Sequence, residues 1–229
     1  LSTGAAGAVV DLAAFIRAQT VLTAPPLVPE VRLHLATEVT PLWQATQDFL
    51  DDNALPPPYW AFAWPGGQAM TRWLLDNPAV FRRRRVLDLA AGSGLTAVAL
   101  AAAGAGAVEA AEIDGVARVA IALNAAANGA AVTVCDDDPM ARPGCPWPGG
   151  PWDVVAAGDV CYEKPMTDRM MPWLRACAAA GAFVVIADPG RSYLPKSGLE
   201  RLAAYTVPTS LDLEDRTHRD TVVYRVLPV

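Results

Sequence analysis

From residue 85 to the C-terminus, short apolar runs alternate with segments whose apolar residues recur at helical period. The pattern predicts strands over 85–90, 107–112, 131–135, 153–157 and 182–187, and helices over 95–103, 115–128, 166–179 and 197–204. Two late strands follow near 205–213 and 220–227; only a short charged turn separates them, so they are expected to run antiparallel. Strands that alternate with helices build a parallel sheet covered on both faces. The expected fold class is α/β: a doubly wound, mostly parallel seven-stranded sheet with an antiparallel last strand, plus an N-terminal helical extension. In that extension Leu12, Phe15, Ile16 and Gln19 share one face of a helix over 9–19, which the proline-rich stretch 24–29 ends. Val31–Leu35 alternates as a short strand does, 42–50 is a further helical candidate, and Pro56–Pro58 is a stiff extended segment. Gly66-Gly67 then admits a helix over 68–76. The chain thus divides into an extension over 1–78, packed on the core, and a cofactor-binding domain over 79–229.

Composition narrows the class. A hydrophobic share of 53% over 229 residues supports a sizeable core, yet no apolar stretch reaches the length of a membrane span. No basic segment followed by an apolar core and cleavage site opens the chain, so no secretion signal is expected. The four cysteines (135, 145, 161 and 177) are scattered and only two histidines are present. That argues for reduced thiols in a cytoplasmic protein and against a metal site. A net charge of −6 and a pI near 4.9 disfavour nucleic acid as the main partner. The basic block Arg82–Arg85 is expected to lie on a solvated face after a helix C-terminus.

One stretch carries chemistry above the rest: Val86-Leu-Asp-Leu-Ala-Ala-Gly-Ser-Gly-Leu-Thr96. An apolar strand delivers Asp88, then Gly92, Ser93 and Gly94, into a helix starting near Leu95. Glycine at those points permits a tight turn and close approach of a bulky ligand to the main chain. About twenty positions on, a second strand ends in Glu112-Ile-Asp114, placed to hold a ribose hydroxyl pair. An adenosine-type cofactor follows. Gly92-Ser-Gly94-Leu-Thr-Ala97 also fits the relaxed dinucleotide pattern, so the glycines alone do not choose. Asp88 does: a carboxylate there repels a pyrophosphate and suits the sulfonium and ammonium of S-adenosylmethionine. Glu112 is the better ribose candidate and Asp114 the second; Asp136 is placed for the adenine amino group, with Asp137 and Asp138 competing.

The strand over 153–157 ends in Ala157-Gly158-Asp159-Val-Cys-Tyr162-Glu163. A carboxylate and a phenol so spaced can receive a cationic nucleophile, Asp159 attracting an ammonium and Tyr162 offering a ring face. The plainer reading has Asp159 capping the loop and Tyr162 packing. Upstream, Trp60-Ala-Phe-Ala-Trp64-Pro-Gly-Gly-Gln68 sets two indoles before the sheet, of which Trp64 is expected to touch the cofactor. Gly92, Glu112, Asp136 and Asp159 all fall at strand carboxyl ends, where such sheets bind ligands.

These residues resemble the seven-β-strand, Rossmann-like (class I) methyltransferases, and within them the lysine methyltransferases of the electron-transfer flavoprotein β subunit. The resemblance runs from about Val28 through nearly the whole chain. It rests on Pro29-Glu-Val-Arg-Leu-His-Leu, Pro58-Tyr-Trp-Ala-Phe-Ala-Trp-Pro-Gly-Gly-Gln68, Leu75-Asp-Asn-Pro78, Glu112-Ile-Asp114, Ala122-Leu-Asn124, Gly158-Asp-Val-Cys-Tyr162 and Ala187-Asp-Pro-Gly-Arg191. It implies Gly92 and Gly94 at the methionine moiety, Glu112 at the ribose, and Asp159 with Tyr162 as the catalytic Asp-x-x-Tyr motif beside a target lysine of the flavoprotein. Two departures stand out. Ala90 occupies a place where relatives carry glycine, so the loop is not expected to use positive φ there, and Glu112 replaces the more usual Asp. Rival readings keep the scaffold and change the outcome: a methyltransferase of another protein or a small amine, a non-catalytic nucleotide-sensing module, or a nicotinamide oxidoreductase.

Overall fold

The apolar run Arg85–Leu89 forms β3, an interior strand of a seven-stranded sheet. The computed structural model describes residues 11–36, 42, 57–142, 146 and 150–228. The helical candidate at 42–50 lies outside them apart from Leu42, as do Pro56 and Cys145. Around β3 the sheet is ordered β5 (Thr133–Cys135), β4 (Ala107–Ala111), β3, β6 (Val154–Gly158), β7 (Phe183–Asp188), β9 (His218–Val226), β8 (Leu199–Pro208). All neighbours from β5 to β7 pair in parallel, whereas β9 runs antiparallel to both β7 and β8. The order reverses between β3 and β6, which opens a crevice beyond their carboxyl ends.

Alternation along the strands fills two layers. Val86, Val108, Val154 and Val185 pack under α2 (Pro65–Asp76), α3 (Leu95–Ala102) and α4 (Gly115–Ala127), through Met70, Leu74, Ala97, Leu100 and Ile121. On the other face Leu87, Val155, Val184 and Ile186 meet Met170, Met171, Trp173 and Leu174 of α5 (Lys164–Ala179). Both α2 and α5 start earlier than periodicity implies, because a proline in the first turn lacks an N–H that the helix would leave unbonded anyway. The extension contributes α1 (Leu12–Gln19), capped by Asp11, and an antiparallel ribbon of β1 (Val21–Thr23) with β2 (Leu33–Leu35). The alternation of 31–35 reveals β2; its partner β1 carries no comparable signal.

The helix expected at 197–204 is not formed. From Leu199 that stretch is the first part of β8, which ends at Pro208 and so holds only the start of the strand expected near 205–213; a single helical turn, α6 (Leu211–Glu214), follows it. Leu199-Glu-Arg-Leu-Ala-Ala favours a helix intrinsically. Pairing with β9 from Leu199↔Val226 to Pro208↔His218 overrides that preference, with a bulge between Arg201 and Ala203. Arg82–Arg85 are exposed, as expected, at the opposite end of the sheet, with Arg85 gripping Asp153 at 2.7 Å. A cavity of about 490 Å³ lies there too, lined by Arg84, Arg85, Trp152 and Asp153, far from the strand carboxyl ends. Among the described residues no helix is long and apolar enough to cross a membrane.

Candidate active site

The four parallel strands β3, β4, β5 and β6 end directly before the loops that carry Gly92, Glu112, Asp136 and Asp159. The loop after β3 turns through left-handed backbone at Ala90 (φ 54°), Gly92 (φ 54°) and Gly94 (φ 74°). The expectation that Ala90 avoids positive φ is therefore wrong: the tight turn imposes the conformation, and Ala90 bears the steric cost of its Cβ. Ala90→Gly removes that cost but adds unfolded-chain entropy. It is expected to raise stability by about 0.5–1 kcal/mol in urea melts. A Cβ built on Gly92 would meet no atom within 4 Å, so that side of the loop is open to a ligand.

Carboxylates brace this loop. Glu112 accepts the N–H of Gly92 through Oε2 (2.9 Å) and that of Asp114 through Oε1 (3.0 Å), tying the end of β4 to the glycines. Asp114 is the N-cap of α4, its Oδ1 accepting the Val116 N–H at 2.8 Å. Asp88 is only 3% exposed and turns toward α3, where its Oδ2 accepts the Ala97 N–H at 2.9 Å. Burial pushes its carboxyl up to about 8, against the Ala97 hydrogen bond. Burial in the ligand-free chain thus favours the neutral acid, whereas the role read for Asp88 from sequence uses its ionised form.

A raised carboxyl pKa stabilises the fold in its neutral form. The contribution of Asp88 is whole below the unfolded value of 3.8 and is lost as pH rises through about 8. Asp88→Asn keeps an acceptor for Ala97 and removes the ionisation. Its melting temperature is expected to fall less than wild type between pH 5 and 9, read by circular dichroism.

Three consecutive aspartates follow β5. Asp137 is bonded by Arg142 at 2.6 Å, while Asp138 caps Met140 and pairs with Arg169. Asp136 is exposed, with no such partner among the described residues. Ser93, buried, is held through its carbonyl by Asn124 Nδ2 at 2.8 Å, and Asn124 Oδ1 accepts the His34 N–H at 2.7 Å. Asn124 is fully buried, so it fastens the extension to the glycine loop. Sequence reading noted Asn124 without a role; a lone polar residue on the apolar face of α4 was the available signal.

Trp64 stands at the N-cap of α2, half-buried, its indole N–H bonded to the Tyr59 carbonyl at 2.8 Å. Its ring meets Tyr59 and Phe62 edge-on, each at 6.0 Å, and Tyr59 in turn lies 6.1 Å from Tyr162. Tyr59 and Tyr162 are 44% and 42% exposed, so this aromatic row runs out to solvent. Ile113, 78% exposed between Glu112 and Asp114, is an apolar side chain that sequence reading passed over.

Asp159 is held from two sides. The chain packs the first turn of α2 against the ends of β6 and β7 so closely that a Cβ on Gly66 would stand 2.5 Å from Asp159 Oδ2 and from the Ala187 carbonyl. Gly67 can therefore donate its N–H to Oδ2 at 2.9 Å, at the positive end of the helix. On the other side Arg191 Nη2 lies 3.4 Å from Oδ1. Burial pushes Asp159 up to about 6, with Arg191 and the Gly67 hydrogen bond opposing. Its backbone is itself left-handed at φ 55°, which Asp tolerates better than most residues. Burial likewise raises the Tyr162 phenol. Arg191 belongs to a cluster with Asp188, Glu214 and Arg219. The motif Asp188-Pro-Gly-Arg191 announced part of that cluster. Glu214, distant in sequence, carried no local signal.

No family model matches the chain. It is similar to the electron transfer flavoprotein beta subunit lysine methyltransferase of Danio rerio, 36% identical over 210 residues that cover 90% of this chain and 79% of the relative. The Xenopus laevis protein of that name is 36% identical over 219 residues, covering 93% and 86%. Among solved structures, a putative RNA methyltransferase from Pyrococcus horikoshii superposes with a TM-score of 0.56 at 16% identity, covering 76% of this chain and 90% of that one. The latter likeness bears on the fold alone. Identity at this level across both lengths decides the family: the chain belongs to the electron transfer flavoprotein beta subunit lysine methyltransferases.

Proposed function

We propose that this protein is an S-adenosylmethionine-dependent protein-lysine methyltransferase acting on the electron-transfer flavoprotein β subunit. Family membership supports the activity. The observation that carries the chemistry is Asp159, a largely buried carboxylate bonded by Gly67 and Arg191 at the end of β6, three residues before the partly exposed Tyr162. A protein substrate, rather than nucleic acid or membrane, fits the acidic chain and the fold.

The residues present fit the cofactor. Gly92 is open on its ligand side, Asp136 has no competing partner among the described residues, and each Glu112 oxygen accepts one N–H and keeps further acceptor capacity for hydroxyls. Gly92, Ser93 and Gly94 would face the methionine portion, Glu112 the ribose, Asp136 the adenine amino group, and Trp64 an apolar edge. Asp88 and Asp114 act at one remove, by fixing the first turns of α3 and α4. When bound, S-adenosylmethionine supplies a methyl group on a cationic sulfur. In this reading the extension over 1–78 packs on the binding domain of 79–229, a division that the Asn124 tether from His34 to Ser93 supports. A cytoplasmic setting would keep Cys135, Cys161 and Cys177 as thiols.

Asp159 and Tyr162 act on the incoming lysine. A free lysine amine titrates near 10.4, so it arrives as an ammonium. Asp159 attracts and orients that cation, and the Tyr162 ring lends a π face to its alkyl chain. The nitrogen attacks only after losing its proton, a loss favoured by the low-dielectric pocket and received by Asp159 or water. The test is direct: purified enzyme, cofactor and recombinant flavoprotein β subunit are incubated and digested. Lysine mass shifts in methyl steps are expected; cofactor heat without any lysine shift removes the substrate, and NADH uptake without cofactor heat removes the whole reading.

A further inference from the structure

Arg191 leaves β7 in a turn fixed by Asp188, whose Oδ1 accepts the N–H groups of Gly190 (2.7 Å) and Arg191 (2.6 Å). The turn delivers its guanidinium into a largely buried cluster. Facing Asp159 there are Asp188 from β7, Glu214 from α6 and Arg191 itself, with the neutral first turn of α2 opposite and Tyr162 toward solvent. Glu214 also holds Arg219 of β9, at 2.9 Å through Oε2 and 3.0 Å through its carbonyl. Three carboxylates therefore share two guanidiniums. Asp188 Oδ2 and Arg191 Nε are buried and have no hydrogen-bond partner among the described residues, so the cluster is not saturated. Uncompensated buried charge is costly, and such a cluster takes up a proton or an external cation.

The position of Arg191 is asymmetric. One nitrogen, Nη2, lies 2.7 Å from Glu214 Oε1 but 3.4 Å from Asp159 Oδ1. It is anchored on one carboxylate and rests loosely on the other. We propose that Arg191 is the resident counter-ion of the lysine slot: it screens Asp159 while the slot is empty and yields that carboxylate to the substrate ammonium by settling onto Glu214. This rests on the lysine methyltransferase reading above and makes Arg191 and Glu214 positioning residues that act through Asp159.

The two residues then pull Asp159 in opposite directions. Removing the cation in Arg191→Gln makes Asp159 harder to ionise, so the acid limb of the kcat/KM–pH profile moves up by about one pH unit. Removing the anchor in Glu214→Gln leaves Arg191 on Asp159. The limb then moves down by a similar amount and KM for the protein substrate rises severalfold with kcat less affected. Arg191→Lys restores the wild-type limb. Cofactor-binding heat and melting temperature are measured for each variant, and if Arg191→Gln does not fold, the Lys and Glu214→Gln pair decides. Limbs that shift the same way, or not at all, in folded cofactor-binding variants overturn the role of Arg191. Absence of lysine transfer by the wild-type enzyme instead overturns the activity on which it rests.

Discussion

Asp159→Asn is expected to lower kcat/KM for lysine methylation by two to three orders of magnitude, an effect on the scale of losing a positioned charged group beside the reacting atom. The side chain is nearly isosteric. Asn keeps an oxygen for the Gly67 N–H at 2.9 Å, and Asn occupies left-handed backbone at φ 55° as readily as Asp. What disappears is the charge that attracts the ammonium and, with it, the looser of the two carboxylate partners of Arg191. Calorimetry should therefore return wild-type cofactor heat beside a nearly silent transfer assay. Equal activity in the two proteins would mean that Asp159 only closes its loop. A loss of cofactor heat would mean that it belongs to the adenosine side of the crevice.

Gly66→Ala should damage the protein more broadly. The added methyl carbon would sit 2.5 Å from the Ala187 carbonyl and 2.5 Å from Asp159 Oδ2, well inside any tolerated contact. The first is main chain of a central strand and cannot swing away, so α2 must lift from the ends of β6 and β7. We expect a loss of about 3 kcal/mol, in the range of severe overpacking, and a melting temperature lower by about 6–12 °C for a chain of this size. Transfer activity should fall with it, since the Gly67 N–H moves with the helix. Gly67→Ala is the control: a Cβ there meets nothing within 4 Å, and near-wild-type stability is expected.

Legibility from sequence followed the range of the interactions. The strands β3, β4, β6 and β7 are apolar runs set by their own burial, and the loop residues Gly92, Glu112, Asp136 and Asp159 are at strand ends by simple chain order. Local signals therefore sufficed to gather them. Residues 199–204 could not be read that way, because pairing with β9 outweighs their helical preference. The same holds for charge. Asp88 looks like a free carboxylate in sequence, but its neutrality comes from burial beneath α3, which only the packed structure supplies. Asp137 and Asp138 compete with Asp136 until the fold sets Arg142, five residues after Asp137, and the more distant Arg169 of α5 to occupy them. Glu214 comes to Asp159 by way of Arg191, a chain of long-range contacts with no local trace.

The Asn124 bridge has a consequence for how the family can vary. Both groups it joins, the amide of His34 and the carbonyl of Ser93, belong to the main chain. Mutation cannot delete them, short of placing proline at 34, so the link itself does not depend on which side chains stand at either end. The whole burden of heredity for that link falls on a single codon.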